Sequence, residues 1–480
     1  MGSPFRLPWL YPVVFLLFVV LFLVLGLIGI DHSCLDAADS TYLVTSRALA
    51  NGQMPYRDFL VAHPPLLFLL GAPLAKMGGG VIPFRVFILL LMAGLGIAVW
   101  RLATKITANA KLAMLAGTLT LFAPLGLFFS KTFINDYLIS LIAVLIILLL
   151  MGKSRTTMAA AGALSVIGTL AKVTILPFLL VGVIYVLIFR RKLSWIYIAV
   201  ALGGSLAAAL IIQVITDGAY LNDILGAQAS KGYSFANLYD GLHRIWRMDW
   251  PLMVPAWAGA WFAVRALRKR GQLGGQLKGS LFLLVGWLFA GVAILGTLPA
   301  EGHDTNLFLM AEPAVAVLAA WGIVGLAERG AIAPAVLVAV WLMIAVPNLV
   351  DKGHDYFFRS NESDVAVIVA ETQNRSPNYQ PVLIPGCFAV EAGRPVTLDF
   401  YDPFLWEEKY RRGDEDTVPL FASLRQEVAE KKTPVIVFGD DQQSIDILEP
   451  YMDDHYDIDF NSKVWPPMTL WVPKEAETPC

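Results

Sequence analysis

Apolar runs of about 17–22 residues recur along most of this chain, each long enough for a helix to cross the hydrocarbon core of a bilayer. They lie near 10–30, 82–101, 111–130, 134–151, 157–171, 173–189, 194–215, 250–266, 279–298, 307–326 and 331–350, eleven in all. Hydrocarbon offers no water to backbone N–H and C=O groups, so a spanning run must bond them internally, as a helix does. Composition agrees: 57% of the 480 residues are hydrophobic and 15% are charged. A soluble protein of this size carries about a quarter charged residues. The chain therefore reads as an α-helical polytopic membrane protein. The runs at 157–171 and 173–189 are short and form a tight hairpin around Lys172, which leaves the count open by two. The first run follows Arg6, is too long for a signal-peptide core and precedes no small-x-small site, so it reads as an uncleaved anchor.

Charge placement supplies the orientation. Alternate loops carry Arg101, Lys105 and Lys111, then Lys153 and Arg155, then Arg190, Arg191 and Lys192, then Arg265, Arg268, Lys269, Arg270 and Lys278. Arg329 stands beside Glu328 in the next loop of that series. The positive-inside rule puts these loops and the N-terminus in the cytoplasm. The opposite loops hold Asp36, Asp39, Asp58, His63, Asp136, the stretch 217–249 and Glu301-Gly-His303-Asp304. This predicts a multi-pass protein of the cytoplasmic membrane with acidic loops outside.

After residue 350 the chain is charged and has no span-length run. Helix-like stretches at 363–374, 417–431 and 442–451 alternate with strand-like 381–385, 395–400, 434–439 and 468–472, which suggests a small α/β domain over 351–480. An odd number of spans makes it extracytoplasmic, and residues 1–350 form the transmembrane part. No GxGxxG or P-loop opens a helix, so no nucleotide cofactor is expected, and nothing in the charge pattern invites nucleic acid. No internal repeat or inverted pair of broken spans is present. Cys34, Cys387 and Cys480 show neither metal-ligand spacing nor a disulfide framework; a Cys34–Cys387 bridge is conceivable, but its geometry is not legible in sequence.

The polar residues that could carry chemistry lie in the predicted outward loops. In Asp36-Ala-Ala-Asp39-Ser-Thr-Tyr42 the two aspartates are three apart and share a face if the stretch is helical. They could bind a divalent cation or take a proton from a hydroxyl; Asp39 or Ser40 could equally cap a helix. In Gly52-Gln-Met-Pro-Tyr56-Arg57-Asp58-Phe, Arg57 suits a phosphate, but also suits Asp58 beside it or a lipid headgroup. His63 precedes Pro64-Pro65 and an interfacial apolar stretch at 66–74, and is catalytic or structural. Asp136 begins a helix, where the dipole alone would favour it. Lys172, a cation on the outer side, suits either an anionic lipid phosphate or snorkelling. Glu301, His303, Asp304 and Asn306 share one short turn.

The order Asp39-Ser-Thr-Tyr42, Arg47-Ala-Leu, Gly52-Gln-Met-Pro-Tyr-Arg-Asp58-Phe and His63-Pro-Pro-Leu resembles the first external loop of GT-C glycosyltransferases. The branch concerned is that of protein O-mannosyltransferases and lipid A aminoarabinose transferases. The likeness extends to the carboxylate after the third span, the Lys172 hairpin, the segment His303…Asn306…Pro313 and the C-terminal domain. It implies inverting transfer of a monosaccharide from a polyprenyl-phosphate donor to a hydroxyl of a glycan, lipid or protein at the extracytoplasmic face. Asp39 would be the base, with Asp36 as rival because the family's Asp-Glu pair reads Asp39-Ser40 here. Asp136 would be the second acidic residue. Lys172 and Arg57 would meet the carrier phosphate, Asp58, His63 and Asn306 would adjoin the substrate, and His303 would line the cavity. Metal dependence varies in the superfamily; Mg or Mn would fall to Asp39 and Asp136.

Two other readings compete. A lipid-linked sugar flippase or transporter needs charged residues near the midplane of its spans, and most spans here lack them. An O-antigen-ligase or polymerase-like protein has a larger basic external loop than the stretch 216–249.

Overall fold

The computed structural model describes residues 9–28, 30, 37–229, 232–269, 275–300, 304–328, 362–377, 380–397, 410, 417–439, 444–461 and 468–474. Asp36, His303 and the apolar run at 331–350 lie outside the described residues.

The chain is mostly helical. It runs through α1 (Leu10–Leu27), α2 (Ala37–Ala50), α3 (Leu66–Lys76), α4 (Ile82–Thr107), α5 (Ala110–Leu121), α6 (Pro124–Phe129), α7 (Asn135–Leu150), α8 (Arg155–Ala171) and α9 (Leu176–Phe189). Then come α10 (Ser194–Ile198), a π-helical stretch at Ala199–Gly203, α11 (Gly204–Ile215), α12 (Ala219–Ala229), α13 (Phe235–Lys269), α14 (Gly275–Leu295) and α15 (Glu312–Ala327). Among the described residues, Leu10–Leu27, Ile82–Thr107, Arg191–Ile215 and Lys278–Leu295 are long and apolar enough to cross a membrane.

Proline explains where other expected spans break. The run at 111–130 divides into α5 and α6 because Pro124 has no N–H to donate and holds Ala123 in an extended conformation at ψ 133°. The run at 307–326 opens as a 3₁₀ turn, Thr305–Met310, and becomes α-helical at Glu312 with Pro313 in its first turn. By contrast, α13 continues through Pro251 and Pro255, so the run at 250–266 is the second half of a 35-residue helix.

The core is built by α4, α5, α7 and α15, whose buried faces include Ile88, Val99, Ala113, Ile139, Val144, Ala316 and Val317. The opposite case is α11, which buries none of its residues and exposes Leu206, Leu210, Ile211 and Val214. An apolar surface of that kind is what lipid tails cover. Between α13 and α15 the backbones nearly touch: a side chain at Gly259 would collide with the Leu318 carbonyl, and one at Gly322 with the Pro255 carbonyl. Small residues allow such contact, and packing replaces the hydrophobic effect as the source of helix association in lipid.

The C-terminal region contains α16 (Glu362–Arg375), α17 (Gly386–Ala392), α18 (Thr417–Ala429), β1 (Ile436–Gly439), α19 (Ser444–His455), β2 (Tyr456–Asn461) and β3 (Met468–Pro473). The sheet order is β1-β3-β2, both pairs antiparallel, with Ile436 opposite Trp471 and Tyr456 opposite Pro473. The expected strands at 381–385 and 395–400 reduce to isolated bridges at Val382, Leu383 and Val396, with residues 398–400 outside the described set. Pro381, Pro385 and Pro395 cannot donate to a ladder, which limits these segments.

Gly322→Val should drive a branched side chain into the Pro255 carbonyl and cost about 1–3 kcal/mol. The readout is a lower thermal midpoint of the detergent-purified protein, with the exposed Leu210→Val as control. An unchanged midpoint would contradict this helix crossing.

Candidate functional site

Desolvating a carboxylate costs several kcal/mol unless charge and hydrogen bonds compensate, so the buried acids identify where this fold has been built around polarity. Asp39, in the first turn of α2, has no exposed surface. Its Oδ1 accepts the Phe133 backbone N–H at 2.7 Å, and its Oδ2 faces Arg85 Nη2 at 3.5 Å. Arg85, one turn into α4, is itself 1% exposed and donates through Nη1 to the Ile30 carbonyl at 2.7 Å. Lys131 donates to the Ile28 carbonyl at 2.5 Å. Cations thus take up carbonyls just past the C-terminus of α1, where the helix leaves acceptors unpaired. Four segments converge here: the end of α1, the starts of α2 and α4, and the turn before α7. Asp39 Oδ2 accepts no hydrogen bond among the described residues. Burial raises the Asp39 pKa and the Arg85 charge opposes that rise.

A second ion pair stands three residues beyond Phe133. Asp136, fully buried in the first turn of α7, receives Lys172 Nζ on both oxygens, at 3.0 and 3.1 Å. Asn306 Nδ2 donates to Oδ2 at 3.1 Å. Lys172 reaches Asp136 from the C-cap of α8, where the chain is extended at φ −162° and ψ 141° before the α9 hairpin. Asn306 is carried by the 3₁₀ turn, which Trp287 Nε1 and Ser140 Oγ fasten through the Met310 and Leu309 carbonyls at 2.8 and 3.0 Å. Beside Asp136, the Asn135 side chain is fully buried with neither amide atom hydrogen-bonded among the described residues.

The first loop closes over this end of the bundle. Arg57 and Asp58 form an exposed pair at 2.8 Å, the neighbour pairing that sequence left open, and Asp58 also accepts the Met54 N–H at 2.7 Å. Tyr56 adopts φ +71°, a left-handed conformation that costs about 1–2 kcal/mol for a residue with a Cβ. Its hydroxyl donates to the His63 carbonyl at 2.6 Å, and its ring meets Tyr220 edge-on at 5.0 Å. The His63 ring, half-buried, lies 5.0 Å from Tyr42 on α2. The structure therefore brings Asp136, Lys172 and Asn306 into contact and puts His63 on α2, while Arg57 and Asp58 remain at the surface. Asp36 and His303 fall outside the described residues.

Arg85 was missed in sequence because it lies inside an apolar run, where one cation looks incidental. The signal was its position: an ionisable residue in a span calls for a partner. The same logic would have found Asp249 of α13 and Glu312 of α15, both buried; Asp249 accepts the Leu125 N–H of α6 at 3.0 Å.

Asp39 and Asp136 are the two carboxylates to which a divalent cation would fall. Each already faces a basic side chain, and among the described residues no three His, Cys, Asp or Glu side chains gather as metal ligands would.

No protein-family model matches the chain, and no curated protein matches it. Solved structures do. ArnT from Cupriavidus metallidurans, crystallised with undecaprenyl phosphate, is 15% identical with a TM-score of 0.63, over 96% of this chain and 98% of that one. The oligosaccharyltransferase AglB from Archaeoglobus fulgidus, in complex with an inhibitory peptide and a dolichol-phosphate, is 11% identical with a TM-score of 0.57, over 97% of this chain and 75% of that one. A crystal structure of the Archaeoglobus fulgidus oligosaccharyltransferase in complex with Zn and sulfate is 12% identical with a TM-score of 0.50, over 92% of this chain and 71% of that one. This chain shares the fold of ArnT and AglB.

Proposed function

We propose that the chain is a membrane glycosyltransferase that moves a monosaccharide from a polyprenyl-phosphate donor to an acceptor hydroxyl at the extracytoplasmic face, with inversion. The observation that carries this reading is Asp39: a buried carboxylate with one oxygen fixed by the Phe133 N–H and the other, Oδ2, facing Arg85 Nη2 at 3.5 Å with no further partner among the described residues. That is the arrangement of a general base. The acceptor oxygen attacks the anomeric carbon opposite the phosphate, the new C–O bond forms as the bond to the phosphate oxygen breaks, and the bonding pair leaves with the carrier. Asp39 Oδ2 takes the hydroxyl proton. Lys172, at the edge of its ion pair, and Arg85 supply positive potential for the departing phosphate. Asp136, steadied by Lys172 and Asn306, adjoins the acceptor together with Asn135. Arg57 and Asp58 meet headgroups at the loop surface, and His303 lines the cavity. The donor class is supported by the undecaprenyl phosphate and dolichol-phosphate bound to the structural neighbours. The remaining architecture is proposed from hydropathy: eleven spans over 1–350 with the N-terminus cytoplasmic, and residues 351–480 as an extracytoplasmic domain.

Asp39→Asn should lower transfer at least about 100-fold, measured as polyprenyl phosphate released from a panel of polyprenyl-phosphate sugars. Asp36→Asn should retain far more activity; the reverse order would make Asp36 the base. Arg85→Gln should move the acidic limb of the rate profile to higher pH. The guanidinium is what opposes the burial-raised Asp39 pKa, and the base must be ionised to act. A limb that stays in place would separate Arg85 from the base.

Lys172→Met leaves Asp136 buried with Asn306 alone and should destabilise the protein by about 3–5 kcal/mol. Adding Asp136→Leu should recover the thermal midpoint without recovering transfer. Chelation with EDTA should leave the rate intact, since cationic side chains already face both acids; loss restored by Mg or Mn would contradict that.

A further inference from the structure

The C-terminal region reaches the helices that carry Asp39 and Arg85 through one short helix. At its start, α17 lies against α2: a side chain at Gly386 would come 2.6 Å from the Ser40 carbonyl, and the Cys387 N–H donates to Ser40 Oγ at 3.4 Å. Ser40 is the residue after Asp39. Two turns farther along α2, Arg47 Nη1 donates to the Ala389 and Arg394 carbonyls at 3.1 and 3.4 Å. Cys387 is disulfide-bonded, with its partner cysteine outside the described residues, so the sequence-based reading of no disulfide is corrected and α17 has a covalent anchor.

The far end of α17 lies against α4. The N-cap position of α4 is Val81, whose side chain has no oxygen to cap the helix. Glu391 closes this terminus from 310 residues away: its Oε1 takes the Val81 N–H, the donor that a first-turn carboxylate takes in a capping box, at 2.8 Å. Gly80, at φ +61°, leaves the space that this carboxylate fills, since a side chain there would collide with it. Val81 is one helical turn before Arg85, and the Arg85 N–H bonds the Val81 carbonyl at 3.2 Å. One seven-residue helix thus holds α2 next to Asp39 and caps α4 beneath Arg85.

We propose that α17 is a positioning element of the active centre, with Glu391 setting the first turn of α4 so that Arg85 faces Asp39. This rests on the reading of Asp39 as the base. Losing the Glu391 carboxylate releases the Val81 N–H and loosens the turn that carries Arg85, and the guanidinium then compensates Asp39 less well. Arg85 is the charged group that acts on Asp39 among the described residues. Lys131 and Asp136, which flank Phe133, engage the Ile28 carbonyl and Lys172, and Glu391 engages α4.

The test uses the full-length protein in detergent and N,N′-dicyclohexylcarbodiimide, a lipid-soluble reagent that modifies protonated carboxyls, with Asp39 adducts quantified by peptide mass spectrometry across pH. Glu391→Ala should move the labelling midpoint of Asp39 upward by about one pH unit or more, in the direction of Arg85→Gln. Glu391→Gln, whose amide oxygen still accepts the Val81 N–H, should restore the parent profile. A merely structural role would lower the thermal midpoint of Glu391→Ala without moving the labelling profile. That outcome, or a profile that Glu391→Gln fails to restore, would overturn the proposal. The base assignment fails separately: if Asp39→Asn transfers sugar at the parent rate, Asp39 is not the base, whatever Glu391 does to its labelling.

Discussion

The arrangement on which the rest of the structure depends is the enclosure of the Asp39 carboxylate. A charge with no exposed surface is tolerable only with compensation, and here compensation comes from distant places. Arg85 arrives from α4 and the Phe133 N–H from the turn before α7. Each compensating group needs fixing in turn. Arg85 is tied to the Ile30 carbonyl, and the Phe133 turn leads into the Asp136–Lys172 pair. Breaking any of these contacts leaves a buried charge or donor unmatched, so they constrain one another as a network. The membrane-embedded helices form the scaffold that makes such positioning possible, and the chemistry gathers at one end of them.

Much of this was legible in sequence, for physical reasons that differ by element. The apolar runs were visible because hydrocarbon permits few alternatives to helix. Asp39, Asp136 and Lys172 stood out because polar residues at the ends of spans are costly. What escaped was whatever depends on partner choice. Lys172 could be assigned to a lipid phosphate or to snorkelling, yet in the fold it binds Asp136, 36 residues away. Arg85 was hidden by the hydrophobicity around it. The β2 strand carries an alternating pattern, Tyr456-Asp-Ile-Asp-Phe460, that its acidic residues masked. The short α17 helix has no periodicity to detect over seven residues, although it packs on α2 and bonds the start of α4.

The fold comparison and the site geometry bear on different parts of the account. Identities of 15% and 11% to ArnT and AglB establish shared architecture and leave the chemistry to be argued from residues. The proposal of a base and two cations, in place of a transport pathway, rests on the Asp39–Arg85 and Asp136–Lys172 pairs lying at helix ends. A leaving group that is already a phosphate ester asks little more of a protein than a proton acceptor and positive potential.

The central claim is that sugar transfer takes place at the Asp39 carboxylate. A cryo-EM structure of the protein with undecaprenyl phosphate tests it most directly. The account predicts the phosphate at the end of the bundle where Asp39, Arg85 and Lys172 converge, with an unesterified oxygen close enough for a sugar carbon to lie between it and a hydroxyl bound to Asp39 Oδ2. A phosphate seated away from Asp39, with both ion pairs undisturbed, would contradict it.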